Sequence, residues 1–82
     1  MNEKIMKNTT KALTTLVELN DLFMFDEVYV DDEVCRITLP FVYKKYLLKF
    51  AEDKKLTYYM QGDKTYTELV VEYNGVQLCV EM

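Results

Sequence analysis

The dipeptide Asn74-Gly75 sits between two runs of alternating residues, and no other feature of this 82-residue chain restricts its fold so tightly. Asn and Gly both tolerate the positive φ of a two-residue type I′ turn, so residues 65–73 and 76–81 read as the arms of a β-hairpin. That turn sets Tyr73 opposite Val76, Val71 opposite Leu78 and Leu69 opposite Val80, which makes one face apolar along its whole length. The other face sets Glu72 against Gln77, Val70 against Cys79 and Glu68 against Glu81. The last opposition joins like charges and costs about what a good cross-strand pair contributes, roughly 0.2–1 kcal/mol.

The same alternation extends upstream. Leu56, Tyr58 and Met60 alternate with Thr57, Tyr59 and Gln61, which predicts a strand closed by a four-residue turn over Gln61–Lys64 and places Tyr59 opposite Tyr66 on the second face. Residues 28–30 and 34–39 form another strand pair around Asp31-Asp32-Glu33. A loop of two or four residues there keeps Val28 and Val30 on the face of Cys35, Ile37 and Leu39, whereas an odd loop sets them beside Arg36 and Thr38. The even loop is therefore expected.

Two segments carry helical spacing instead. In residues 2–20, Ile5/Met6, Leu13, Leu16/Val17 and Leu19 recur near 3.6 residues, with Asn8 or Thr9 as an inner cap. Pro40 suits the first turn of a second helix over 41–53, in which Tyr43, Tyr46, Leu47, Phe50 and Ala51 share a side opposite Lys45, Lys49 and Glu52. The expected fold is α+β in the order α-β-β-α-β-β-β, one domain over residues 1–82. It holds a five-stranded, mostly antiparallel sheet and two helices.

Much chemistry is excluded. The chain has no histidine, serine or tryptophan, which removes Ser-His and Cys-His nucleophile pairs and imidazole metal sites. Its two glycines, Gly62 and Gly75, are too far apart for a phosphate-cradling loop. Asp31-Asp32-Glu33 lacks the ligand spacing and central glycine of a calcium loop, and nothing requires Asp26, Asp32 and Glu33 to converge on a metal. Neither catalysis nor a cofactor is expected. Cys35 and Cys79, each inside a strand-like run, read as reduced thiols, and no segment approaches the length of a membrane span, so a cytoplasmic protein is expected.

Charge is lopsided around a net of −4. Between Lys11 and Arg36 there is no basic residue, while Glu18, Asp21, Asp26, Glu27, Asp31, Asp32 and Glu33 all fall in that interval. These carboxylates, with Tyr29 in the first hairpin, form a candidate surface for a basic partner; the alternative is a solvated face with Asp in its favoured turn positions. A second candidate is the outer face of the C-terminal strands, where Tyr59, Tyr66, Val70 and Cys79 are rimmed by Glu68, Glu72 and Glu81. The first helix covers this face, a homodimer buries it, or another protein meets it. Arg36, Lys44, Lys45, Lys49, Lys54 and Lys55, with Tyr46, Tyr58 and Tyr59, suggest nucleic-acid binding through the second helix, but a pI near 4.7 and a single arginine argue against it.

Small, acidic, rich in Tyr and Met, lacking His and Ser and bare of catalytic motifs, the chain resembles in general character the small inhibitor proteins of bacteriophages and mobile elements, such as anti-CRISPR and anti-restriction proteins. That resemblance implies a bacterial nuclease or its complex as the partner. The expected function is thus a non-enzymatic protein-binding inhibitor. A structural or self-associating domain is the second reading.

Overall fold

The computed structural model describes residues Asn2–Met82. Its elements are α1 (Glu3–Leu19), β1 (Glu27–Val30), β2 (Cys35–Leu39), a 3-10 turn (Phe41–Tyr43), α2 (Lys44–Lys54), β3 (Tyr58–Gly62), β4 (Thr67–Tyr73) and β5 (Val76–Glu81). The strands form one mixed sheet in the order β1-β2-β5-β4-β3, antiparallel except for β2 beside β5. The fold is α+β, as the element order predicts.

Both hairpins with strong turn signals keep their expected register. Tyr73 pairs with Val76 around Asn74 (φ 49) and Gly75 (φ 81), and Val30 pairs with Cys35 across a four-residue loop. The third hairpin differs. β3 runs on to Gly62, the loop is Asp63–Tyr66, and Tyr59 lies opposite Val70, not Tyr66. The Asp63 carboxylate accepts from the Thr65 and Tyr66 backbone N–H groups and from the Thr65 hydroxyl, so the aspartate organises the loop. Gly62 (φ 132) closes the strand where an added Cβ would run into the Tyr66 carbonyl. The slip is four residues, an even number, so every side chain keeps its face.

The inner face of the sheet is apolar and both helices lie on it. Ile37, Leu39, Leu69, Val71, Leu78 and Val80 pack with Ala12 and Leu19 of α1 and with Leu47, Phe50 and Ala51 of α2. Phe23, on the link from α1 to β1, fills the space between the helices edge-on to Tyr43 and Phe50. Burying one such side chain contributes about 1.5–3 kcal/mol.

Helix boundaries follow their caps. The Asn2 side chain accepts from the Lys4 N–H, so α1 begins at Glu3 and neither Asn8 nor Thr9 caps it. Asn8 is instead buried and donates to the Asp31 carbonyl, pinning the helix to the first hairpin. Pro40 precedes the 3-10 turn, and α2 proper begins at Lys44. The helix ends on left-handed Lys55 (φ 57), with the Leu56 N–H returning to the Ala51 carbonyl. Tyr46, expected on the buried side of α2, is 66% exposed.

Candidate functional site

Placing both helices on one face leaves the other face of the sheet uncovered. Alternation along each strand then decides what it presents: Glu27 and Tyr29 from β1, Arg36 and Thr38 from β2, Gln77, Cys79 and Glu81 from β5, Glu68, Val70 and Glu72 from β4, and Tyr59 and Gln61 from β3. Val70 and Cys79 at its centre are fully buried although they stand outside the main core. The larger side chains of this face shield them.

Glu68 organises the centre. Its residue is only 5% exposed, yet it carries a carboxylate. Oε1 accepts from the Arg36 guanidinium at 2.5 Å and from Gln61 Nε2 at 2.6 Å, and Oε2 accepts from the Tyr66 hydroxyl at 3.1 Å. Burial pushes this carboxyl up, but the donors Gln61, Arg36 and Tyr66 outweigh it and hold the group below its ordinary range. Arg36 reaches Glu68 from two strands away across Cys79, whose thiol is pushed up by burial and pulled partly back by the guanidinium. This is the single ion pair among the described residues. It also answers the Glu68–Glu81 opposition, which the register retains.

Between β1 and the Asp63–Tyr66 loop the face hollows into an open groove of about 480 Å³, bordered by Glu27, Tyr29 and Thr38 on one side and by Tyr66 and Glu68 on the other, with Arg36 between. The Glu27 carboxylate has no hydrogen-bond or ion-pair partner among the described residues. Tyr29, Tyr59 and Tyr66 are 51%, 37% and 46% exposed. Each tyrosine hydroxyl donates to a carboxylate, Tyr29 to Asp31, Tyr59 to Glu72 and Tyr66 to Glu68. These bonds push all three phenols up, Tyr59 chiefly through burial. The rings are thereby held in place.

The residues of the two expected surfaces are redistributed in the fold. Glu27, Tyr29, Tyr66 and Glu68 share the groove, and Tyr59 with Glu72 continues the face toward β3. Glu18 belongs to the helix layer, where it accepts from the Tyr73 hydroxyl, and Asp21 lies in the turn after α1. Asp26 precedes β1, while Asp31, Asp32 and Glu33 form the loop at its far end, about 17 Å away along the strand. Asp31 serves that loop: its carboxylate accepts from the Glu33 and Val34 N–H groups, which hold it below its ordinary range. The acidic stretch is split, though nowhere neutralised by the lysines of α2. Those lysines lie in the helix layer with exposed Tyr46, on the side of the sheet that Tyr58 also faces, whereas Arg36 and Tyr59 stand on the opposite face, so the basic and aromatic residues that suggested nucleic-acid binding are divided between the two sides.

Sequence reasoning missed Arg36 and Gln61 as parts of the site. The signal available was the Glu68–Glu81 opposition, which asks for a donor nearby. Among the described residues no three Cys, Asp or Glu side chains are placed to hold a metal ion, and no helix is long and apolar enough to cross a membrane. Neither a family model, nor a curated protein, nor a solved structure matches the chain.

Proposed function

We propose that the chain is a non-enzymatic docking module whose uncovered sheet face receives a basic segment of another protein, with an arginine or lysine side chain entering the groove between Tyr29 and Tyr66 beside Glu27. One observation carries this reading: a face bearing three half-exposed, hydroxyl-anchored tyrosines and four carboxylates, Glu27, Glu68, Glu72 and Glu81, offers one cation, and Glu68 already holds it. An incoming guanidinium meets aromatic rings and an unpaired carboxylate, a combination worth about 0.5–2 kcal/mol per contact where water is displaced. Carboxylates flanking the face raise the encounter rate with a positive surface.

Basic surfaces of this kind are common on proteins that handle nucleic acid, so an inhibitor of a bacterial defence nuclease is the concrete form proposed. The test is affinity capture from a bacterial lysate with the wild-type chain beside Glu27→Lys/Tyr66→Ala. A basic protein retained by the first and released by the second supports the proposal. Equal retention by both refutes it.

A further inference from the structure

The helix α1 is mounted off its apolar axis. Its buried positions, Asn8, Ala12, Thr15 and Leu19, fall within about 60° on the helix circumference and include two polar residues. Met6, Leu13 and Val17 lie within about 40° of one another, about 150° round from that buried strip. They are 51%, 58% and 75% exposed, and Leu22 and Met24 just beyond the helix are 56% and 70% exposed. The helix buries Leu19 and half-buries Ile5 and Leu16, yet it also buries Asn8 and Thr15 while leaving a stripe of Met6, Leu13 and Val17 facing away from the fold.

We infer that this stripe pairs with the same stripe of a second copy of the chain, with the two α1 helices antiparallel across a two-fold axis. Spacing and charge both select this occupant. Glu3, Met6, Thr10, Leu13, Val17 and Asn20 alternate in steps of three and four, the spacing of a two-helix seam. In the antiparallel register Met6 meets Val17 of the other copy and Leu13 meets Thr10, twice by symmetry. Charge is also uneven along the helix: Lys4, Lys7 and Lys11 outnumber Glu3 in its first two-thirds, while Glu18 closes its far end and Asp21 follows in the turn beyond. Antiparallel pairing brings Lys7 near Glu18 and Asp21 of the other copy and opposes the two helix dipoles. Parallel pairing sets lysine against lysine and Glu18 against Glu18. Within its own chain Glu18 accepts from the Tyr73 hydroxyl through Oε2.

A seam about 26 Å long and one helix wide is smaller than the roughly 1,200 Å² of a stable complex, so the dimer dissociates on dilution. Because α1 lies on the inner face of the sheet, the dimer turns its two outer faces away from each other. It is therefore a bivalent form of the module, yet it rests on the helix alone and not on what the outer face binds.

Sedimentation equilibrium tests it. At roughly 1 mM chain the weight-average mass approaches twice the 9.8 kDa of one chain and falls toward one chain on hundredfold dilution. Leu13→Glu, at an exposed position, leaves the circular dichroism spectrum and melting temperature unchanged and holds the mass at one chain. Lys7→Glu weakens the dimer at low salt, and Lys7→Glu combined with Asp21→Lys restores it. A chain that stays monomeric at the highest concentration overturns the inference, as does a dimer that survives Leu13→Glu.

Discussion

Glu68→Gln tests the centre of the outer face, because the amide keeps the shape of the side chain while removing its charge and one of its two acceptor oxygens. The carboxylate holds three donors, and a hydrogen bond to a charged group contributes about 1.5–3 kcal/mol in a buried setting. Arg36 retains water, its side chain being 31% exposed, and glutamine still offers one oxygen, which together bring the expected loss to about 2 kcal/mol. In a domain of this size that lowers the melting temperature by about 8–16 °C and the urea midpoint by about 1–2 M. Urea unfolding followed by circular dichroism reads it, and a cycle with Arg36→Met isolates the pair. The double variant should lose at least about 1 kcal/mol less than the sum of the single losses. A Glu68→Gln change below about 0.5 kcal/mol, or strict additivity with Arg36→Met, refutes the account of the site's centre.

Other perturbations follow from the same geometry. The folded Glu68 carboxyl lies below its ordinary value of 4.5, so the unfolded chain takes up its proton first; the stability it contributes is complete above that pH and lost as pH falls through the folded value. Glu68→Gln should therefore flatten the acid limb of a stability-against-pH curve, while the lowered carboxyls of Asp31 and Asp63 leave a residual slope of the same sign. Lys55→Gly removes the left-handed penalty at the end of α2 and should raise stability by about 0.5–1 kcal/mol in the same urea assay. Asp31→Ala should lower the melting temperature, whereas Asp32→Ala, whose carboxylate holds no backbone group, should leave it unchanged.

What the sequence made legible was local. Asn74-Gly75 dictated its own turn, and the alternation of Leu69 and Val71 against Val70 and Glu72 assigned each side chain to a face because a strand has only two. The β3–β4 loop was misplaced because Gly62 looks like a turn centre. The residue organising that loop is Asp63, through bonds to groups two and three residues on. The outer tyrosines were recognisable, but the Arg36–Glu68 pair was not, since it depends on β5 lying between β2 and β4, a long-range arrangement that no local pattern specifies. Likewise, helical spacing in α1 marked Met6, Leu13 and Val17 as apolar without revealing that the helix would turn them away from the sheet.

The proposed docking face is tested most directly by titrating ¹⁵N-labelled chain with an oligoarginine peptide and following backbone amide shifts. Saturating changes should cluster at Glu27, Tyr29, Arg36, Thr38, Tyr66 and Glu68, weaken with salt, and vanish in Glu27→Lys/Tyr66→Ala. Shifts confined to the Asp32-Glu33 loop or to the helices, or no shifts at all at low salt, contradict the assignment of the uncovered sheet face as the surface that receives a basic partner.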